Sequence, residues 1–168
     1  MRRFTGIASG ISTGVPGAVV MLNMAHKDYG KLDWGPQMDS AIETAEKGFE
    51  VSPRMAGITA RMGRFVLKNQ KEAREYFYLN NTDKTIPEGF IRKNQPYANT
   101  LRAIQKNPRA LLEGPIAEEI IRVIQEEPLP GTLTLEDMAA YQPQKTEALC
   151  STYRKHIICG ASRPVVGL

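Results

Sequence analysis

Apolar residues recur at helical spacing through most of the chain. Ala18, Met21, Leu22, Ala25 and Tyr29 stand at i, i+3, i+4, i+7 and i+11, which predicts a helix that buries this face. Pro16-Gly17 starts it, and Gly30 is expected to end it through a positive φ. Asp33 is the expected N-cap of a second helix with the stripe Trp34, Met38, Ala41, Ile42 and Ala45, closed by Gly48. Ser52-Pro53 reads as a cap followed by proline at the first helical position, where its missing N–H costs nothing. That third helix is expected to reach about Lys68, with a shorter one over 71–77.

Farther on, Asn94 and Pro96 open a helix with Tyr97, Leu101 and Ile104 on one side. Asn107-Pro108 predicts a short helical turn up to Gly114, and Pro115 starts a helix faced by Ile116, Ile120, Ile121 and Ile124. Thr134-Leu135-Glu136-Asp137 has the form of a capping box ahead of a short helix over 135–141. After Pro143 the texture changes: Thr146 to Cys150 and Ile157 to Cys159 are β-prone and predict a hairpin or two edge strands. The class expected is therefore α+β, helical to about 143 and β-prone over 144–168. A chain that stops where a sheet would continue reads as a fragment.

Length and composition fit one soluble domain with a real core. The apolar runs, such as 18–22, are far too short for a membrane span. Met1-Arg2-Arg3-Phe4 is not followed by an apolar stretch, so no signal peptide is expected within this chain. The net charge of +4 is uneven, with +7 over residues 1–112, −6 over 113–144 and +3 over the last 24 residues. The basic side chains are scattered among acids at helical intervals, the pattern of solvated helix faces. Nucleic acid is not an expected partner, although a basic binder is the reading that this asymmetry would support.

Candidate chemistry is sparse. Cys150 and Cys159 lack metal-ligand spacing. Two separate reduced or buried thiols are the expected state, and a cross-strand disulfide in an exported protein is the alternative. His26 and His156 are isolated and read as surface or helix-end residues. Gly10, Gly14 and Gly17 lack the spacing of a phosphate-cradling loop and read as chain-turning residues.

Several blocks in order carry a resemblance: Gly14-Val15-Pro16-Gly17, Ala25-His26-Lys27-Asp28-Tyr29-Gly30-Lys31-Leu32 with Trp34, Ala41-Ile42, Ala45-Glu46-Lys47-Gly48-Phe49 and Val51-Ser52-Pro53. Leu101-Arg102-Ala103-Ile104, Glu113-Gly114-Pro115-Ile116-Ala117, Gly131 with Leu133-Thr134-Leu135-Glu136-Asp137-Met138-Ala139-Ala140-Tyr141, and Tyr153-Arg154 follow. Each block is weak alone, but together the chain resembles the γ-glutamyltransferase (γ-glutamyltranspeptidase, glutathione hydrolase) family. It is similar to the middle to C-terminal part of the large subunit. Residues 1–8 form a non-matching segment and 9–168 the family-like one.

The resemblance implies an N-terminal-nucleophile hydrolase fold, with two sheets between helical layers. It also implies a precursor that cleaves itself into a large and a small subunit, the partner expected for this chain. In such enzymes the new N-terminal Thr attacks the γ-glutamyl carbonyl of glutathione or a related compound, with its own α-amine as base. Backbone donors hold the oxyanion. Family members are often periplasmic, secreted or cell-surface proteins.

No catalytic, substrate-binding, metal or cofactor residue is placed on this chain. It has no Thr-x-His, Thr5 and Thr13 precede the matching helices, and the surroundings of Arg2 and Arg3 do not match the family's substrate-clamping Arg. After the hairpin, where the family has a Pro-rich stretch ending in Ser-Ser-Gly-Gly, Ala161-Ser162-Arg163-Pro164-Val165-Val166-Gly167-Leu168 keeps only Pro164 and Gly167. The chain is expected to be scaffolding and inactive alone. A stand-alone helical interaction module or an inactive relic is the alternative. Exposed apolar surface at Ile120, Ile121, Ile124, Ile157 and Ile158 is expected, with self-association as its consequence.

Overall fold

The computed structural model describes residues 6, 9–63, 67–80, 82–126 and 129–160. The expectations for Arg2, Arg3, Thr5 and the segment 161–168 lie outside the described residues. Helices α1 (Ala18–Tyr29), α2 (Asp39–Lys47), α3 (Pro53–Met62), α4 (Lys71–Phe77), α5 (Gln95–Lys106), α6 (Pro115–Ile124) and α7 (Leu135–Ala140) carry most of the chain. Strands β1 (Phe49–Glu50) and β2 (Ile91–Arg92) form one antiparallel pair, and β3 (Leu149–Tyr153) and β4 (His156–Gly160) form another. Mixed helix and strand is the α+β class read from the sequence. Among the described residues no helix is long and apolar enough to cross a membrane.

Two hydrophobic clusters organise the helices. Val20, Leu112, Ala117, Ile121, Ile124 and Met138 form the first, with Val15, Ile120, Leu133 and Tyr141 packed on it. Ile42, Ala45, Ala98 and Leu101 form the second, where α2 lies against α5, with Met38 at its edge. The expected exposure of Ile121 and Ile124 is thus corrected. Met138, itself fully buried, shares their cluster, and both isoleucines are buried.

The face of α1 is also corrected. Met21, Leu22 and Tyr29 are exposed, and Val20 is the buried residue. The first half of α1 is apolar nearly all round, so spacing alone did not fix which side meets Leu112 and Ile121.

Local signals at the helix ends fared unevenly. Gly48 has φ +97°, as a terminating glycine should. Ser52 accepts a 3.2 Å bond from the Met55 N–H, Asn94 one of 3.0 Å from the Tyr97 N–H, and Thr134 and Asp137 form the predicted capping box. Gly30 instead has φ −68°, so α1 ends without a left-handed residue. Asp33 does not cap α2, because a 3-10 turn, Gly35–Met38, runs straight into it. Helix α3 ends at Met62, short of Lys68, with a separate 3-10 turn at Leu67–Asn69. The segment 108–113 is a series of turns rather than a helix.

The glycine-rich entry folds as a 3-10 turn, Gly10–Ser12, pressed on the end of α6. A Cβ on Gly10 would overlap the Ile124 carbonyl, whose oxygen also accepts a 2.8 Å bond from the Gly131 N–H. This close backbone approach, not phosphate binding, is the use of that glycine.

The β3–β4 hairpin stands apart, since every residue of both strands is exposed. Its turn is two residues long, with Arg154 at φ 56°. Cys150 and Cys159 are direct cross-strand partners and are joined by a disulfide, which corrects the expectation of two separate thiols. The reason is register: the first strand lies at Leu149–Tyr153, three residues beyond the expected segment, and the two-residue turn then sets Cys150 opposite Cys159.

Candidate functional site

Two open clefts among the described residues could receive another molecule. The first, about 470 Å³, lies over the second cluster and is lined by Ser40, Ala41, Thr44, Ala45, Phe49, Tyr76, Asn94 and Tyr97. Its position follows from the local fold. Helix α2 supplies one wall, and Gly48 turns the chain so that β1 brings in Phe49. The Asn94 N–H donates to the Ala45 carbonyl at 2.7 Å, which locks the start of α5 and hence Tyr97 beside α2.

Phe49 pairs directly with Arg92 across the β1–β2 ladder, so both side chains leave the same face. The Arg92 guanidinium sits 5.1 Å from the ring centroid of Tyr76 and 5.1 Å from that of Phe90. Two aromatic faces therefore hold one cation. The Arg92 Nε is buried without a hydrogen-bond acceptor. A buried donor left so costs about 1–3 kcal/mol. Arg92 was not singled out by the sequence; its signal is the aromatic flanking of β2, visible only once Tyr76 is brought to Phe90. Tyr78 Oη is a second buried, unpartnered group, set against Gly63.

The second cleft, about 590 Å³, separates α1 from the end of α5 and includes Met24, Lys27, Trp34, Lys106, Arg109 and Gln142. Its cations are partly committed. Arg109 donates to the carbonyl oxygens of Ala139 at 2.8 Å and Tyr141 at 3.2 Å, and pairs with Glu113. It thereby ties the C-terminus of α7 to the turns before α6 and satisfies carbonyls that the helix leaves open.

Ionisable groups elsewhere form surface pairs. Hydrogen bonds from Arg102, at 2.6 Å, and from Gln95 hold the Glu46 carboxyl down at about 2. Lys68 and Arg74 lower Asp83, Arg122 lowers Glu119, and Thr134 lowers Asp137. His26 lies in the last turn of α1, where its Nε2 donates to the Leu32 carbonyl at 2.8 Å and its ring meets Trp34 edge-on. His156 is exposed at the hairpin turn, and Thr13 lies on the exposed chain leading to α1. Among the described residues no three His, Cys, Asp or Glu side chains gather as a metal site. These arrangements can bind and brace.

Comparison with known proteins places the chain. A family model described as gamma-glutamyltranspeptidase matches residues 3–168. The glutathione hydrolase proenzyme of Arthroderma benhamiae is 30% identical over 165 residues, covering 96% of this chain and 27% of that protein. Glutathione hydrolase 3 of Arabidopsis thaliana is 27% identical over 158 residues, covering 94% of this chain and 24% of that one. The crystal structure of Helicobacter pylori gamma-glutamyltranspeptidase superposes with a TM-score of 0.87 at 25% identity, over 95% of this chain and 45% of that chain. The chain thus spans about a quarter of the length of these curated relatives.

Proposed function

Since the chain belongs to the γ-glutamyltranspeptidase family, we propose that it is the helical scaffold of a large subunit. Its task is to brace a catalytic small subunit made from the same precursor. The nucleophilic Thr and its amine base are supplied by that partner, and glutathione or related compounds are substrates of the assembled enzyme only. The helices already close two cores of their own, whereas β3 and β4 are exposed along both faces. That contrast carries the reading: a two-stranded ribbon is marginal alone and gains stability by joining a larger sheet. Leu149, Ile157 and Ile158, 70%, 75% and 57% exposed, are the apolar surface offered. The same surface supports self-association of the isolated chain.

The test is direct. The purified chain is mixed with a γ-glutamyl anilide, and no anilide release above background is expected. Release above background overturns the scaffold reading. Co-expressed with the small-subunit sequence of a relative, the chain should co-purify with it, and Ile157→Lys should weaken that association. Failure of the native chain to associate counts against the partner.

A further inference from the structure

We propose that the cleft between α1 and the end of α5 binds a small phosphate monoester that carries a flat apolar group. The proposal goes beyond the scaffold role and does not depend on it. It starts from the sign of the lining. The cleft of about 590 Å³ is lined by Lys27 of α1, Lys106 of α5 and Arg109 of the turns that follow, and by no carboxylate. A cleft lined by one sign of charge focuses its field and draws in the opposite ion.

Two of these cations are uncommitted. Among the described residues, the ammonium groups of Lys27 and Lys106 have no ion pair and no hydrogen bond. The acids beside the lining residues are engaged elsewhere. Asp28 pairs with Lys145, Glu113 with Arg109, and Asp39 accepts from Gln105 at 2.6 Å. Asp33, next in sequence to Trp34, is exposed and does not line the cleft. Both lysines stand in the last turns of their helices, where a cation suits the carbonyl end. That role is local to each helix and does not account for a shared cleft.

The walls are held by contacts that leave both lysines free. Trp34 is pinned through its indole N–H, which donates to the Ile104 carbonyl at 3.2 Å, and by its edge-on contact with His26. The Asp28–Lys145 pair ties α1 to the segment that carries Gln142 and Pro143. All three guanidinium nitrogens of Arg109 already donate, to Glu113, Tyr141 and Ala139. The fork that would match a planar carboxylate is therefore engaged, and two ammonium point charges remain, which suit the spread charge of a phosphoryl dianion. The side-chain amides of Asn23 and Gln142 can donate to its oxygens, while Trp34, Met24 and Pro143 offer apolar surface to an attached ring.

Phenyl phosphate is the probe, used at about pH 8, where a phosphate monoester is a dianion. Trp34 is the only tryptophan of the chain, so fluorescence of the purified full chain reports the cleft directly. A saturable change is expected, weakening as salt is raised. Lys27→Met and Lys106→Met should each weaken binding about threefold, and the two together about tenfold. Lys71→Met, exposed at the start of α4 and outside the cleft, should leave it unchanged. Benzyl alcohol, which lacks the charge, and inorganic phosphate, which lacks the ring, should each bind about tenfold more weakly, and benzoate about threefold more weakly.

No saturable change overturns the proposal. So does benzyl alcohol binding as tightly as phenyl phosphate, or an equal loss in Lys71→Met and the cleft variants. Benzoate binding as tightly overturns the phosphate assignment, and inorganic phosphate binding as tightly overturns the attached ring. Should Lys27→Met and Lys106→Met shift the urea midpoint but not the affinity, the lysines serve only their helix ends and the site is refuted.

Discussion

Trp34 donates its indole N–H to the carbonyl oxygen of Ile104 across 3.2 Å. That carbonyl lies in the last turn of α5, and the residue four positions on is Pro108, which has no N–H to give. The indole therefore does the work of a missing backbone donor. Close by, Gln105 Nε2 donates to the Gly35 carbonyl at 2.9 Å, so the 3-10 turn and the end of α5 are joined twice. Trp34→Phe keeps most of the ring and removes the donor. It should cost about 1 kcal/mol of stability, read from a shift in the urea midpoint with unchanged slope.

Arg109 makes the equivalent join at the other end of the helical layer, through the carbonyls of Ala139 and Tyr141. Arg109→Met keeps the stem and removes the donors. A loss of about 1.5–2 kcal/mol is expected, toward the lower end for bonds to a charged group because the site is partly solvated. Arg109→Lys should recover less than half, since one ammonium cannot span both carbonyls. Hydrogen exchange in α7 should rise in both variants.

Acid should weaken the fold through Glu46. Its folded-state value of about 2 lies below the ordinary 4.5, so the bonds from Arg102 and Gln95 stabilise the fold fully above about 4.5. That contribution falls as pH drops from 4.5 toward 2, and Asp83, Glu119 and Asp137, also lowered, act with the same sign. Glu46→Gln should flatten the dependence of the thermal midpoint on pH between 5 and 2.5. An unchanged slope would show that Glu46 contributes nothing there, the usual outcome for a solvent-screened pair.

Reduction should act on the hairpin alone. The Cys150–Cys159 bond closes a short loop in a ribbon whose residues are all exposed. Such a crosslink is worth on the order of 2.5 kcal/mol by loop entropy. With dithiothreitol, amides over 151–158 should lose protection while those of α5 and α6 do not. Simultaneous loss in both regions would mean that the ribbon is coupled to the helical cores.

Legibility in the sequence followed the range of the forces involved. The caps at Ser52, Asn94 and Thr134 are local contests between a side chain and its own backbone, and the spacing identified them. The face of α1 was not local: Val20 rather than Met21 is buried because of what Leu112 and Ile121 offer across space. The disulfide depended on a register of one residue, which β-propensity does not resolve. The family blocks survived because they are mostly helix ends. The cleft and Arg92 were invisible, since Tyr76, Phe90 and Phe49 come from three separate elements.

The pairing of α2 with α5 also bears on how the chain acquires its shape. The second cluster joins Ile42 and Ala45 to Ala98 and Leu101, so nothing in it can form until residues 48–94 have been gathered into an excursion between them. Apart from Val20, the first cluster draws its buried residues, Leu112, Ala117, Ile121, Ile124 and Met138, from one short stretch that can begin to assemble early. Closing an excursion costs little more as it lengthens, about 0.6 kcal/mol for each doubling. The stretch between α2 and α5 is therefore where this scaffold can gain or lose residues over evolution while both helices still meet.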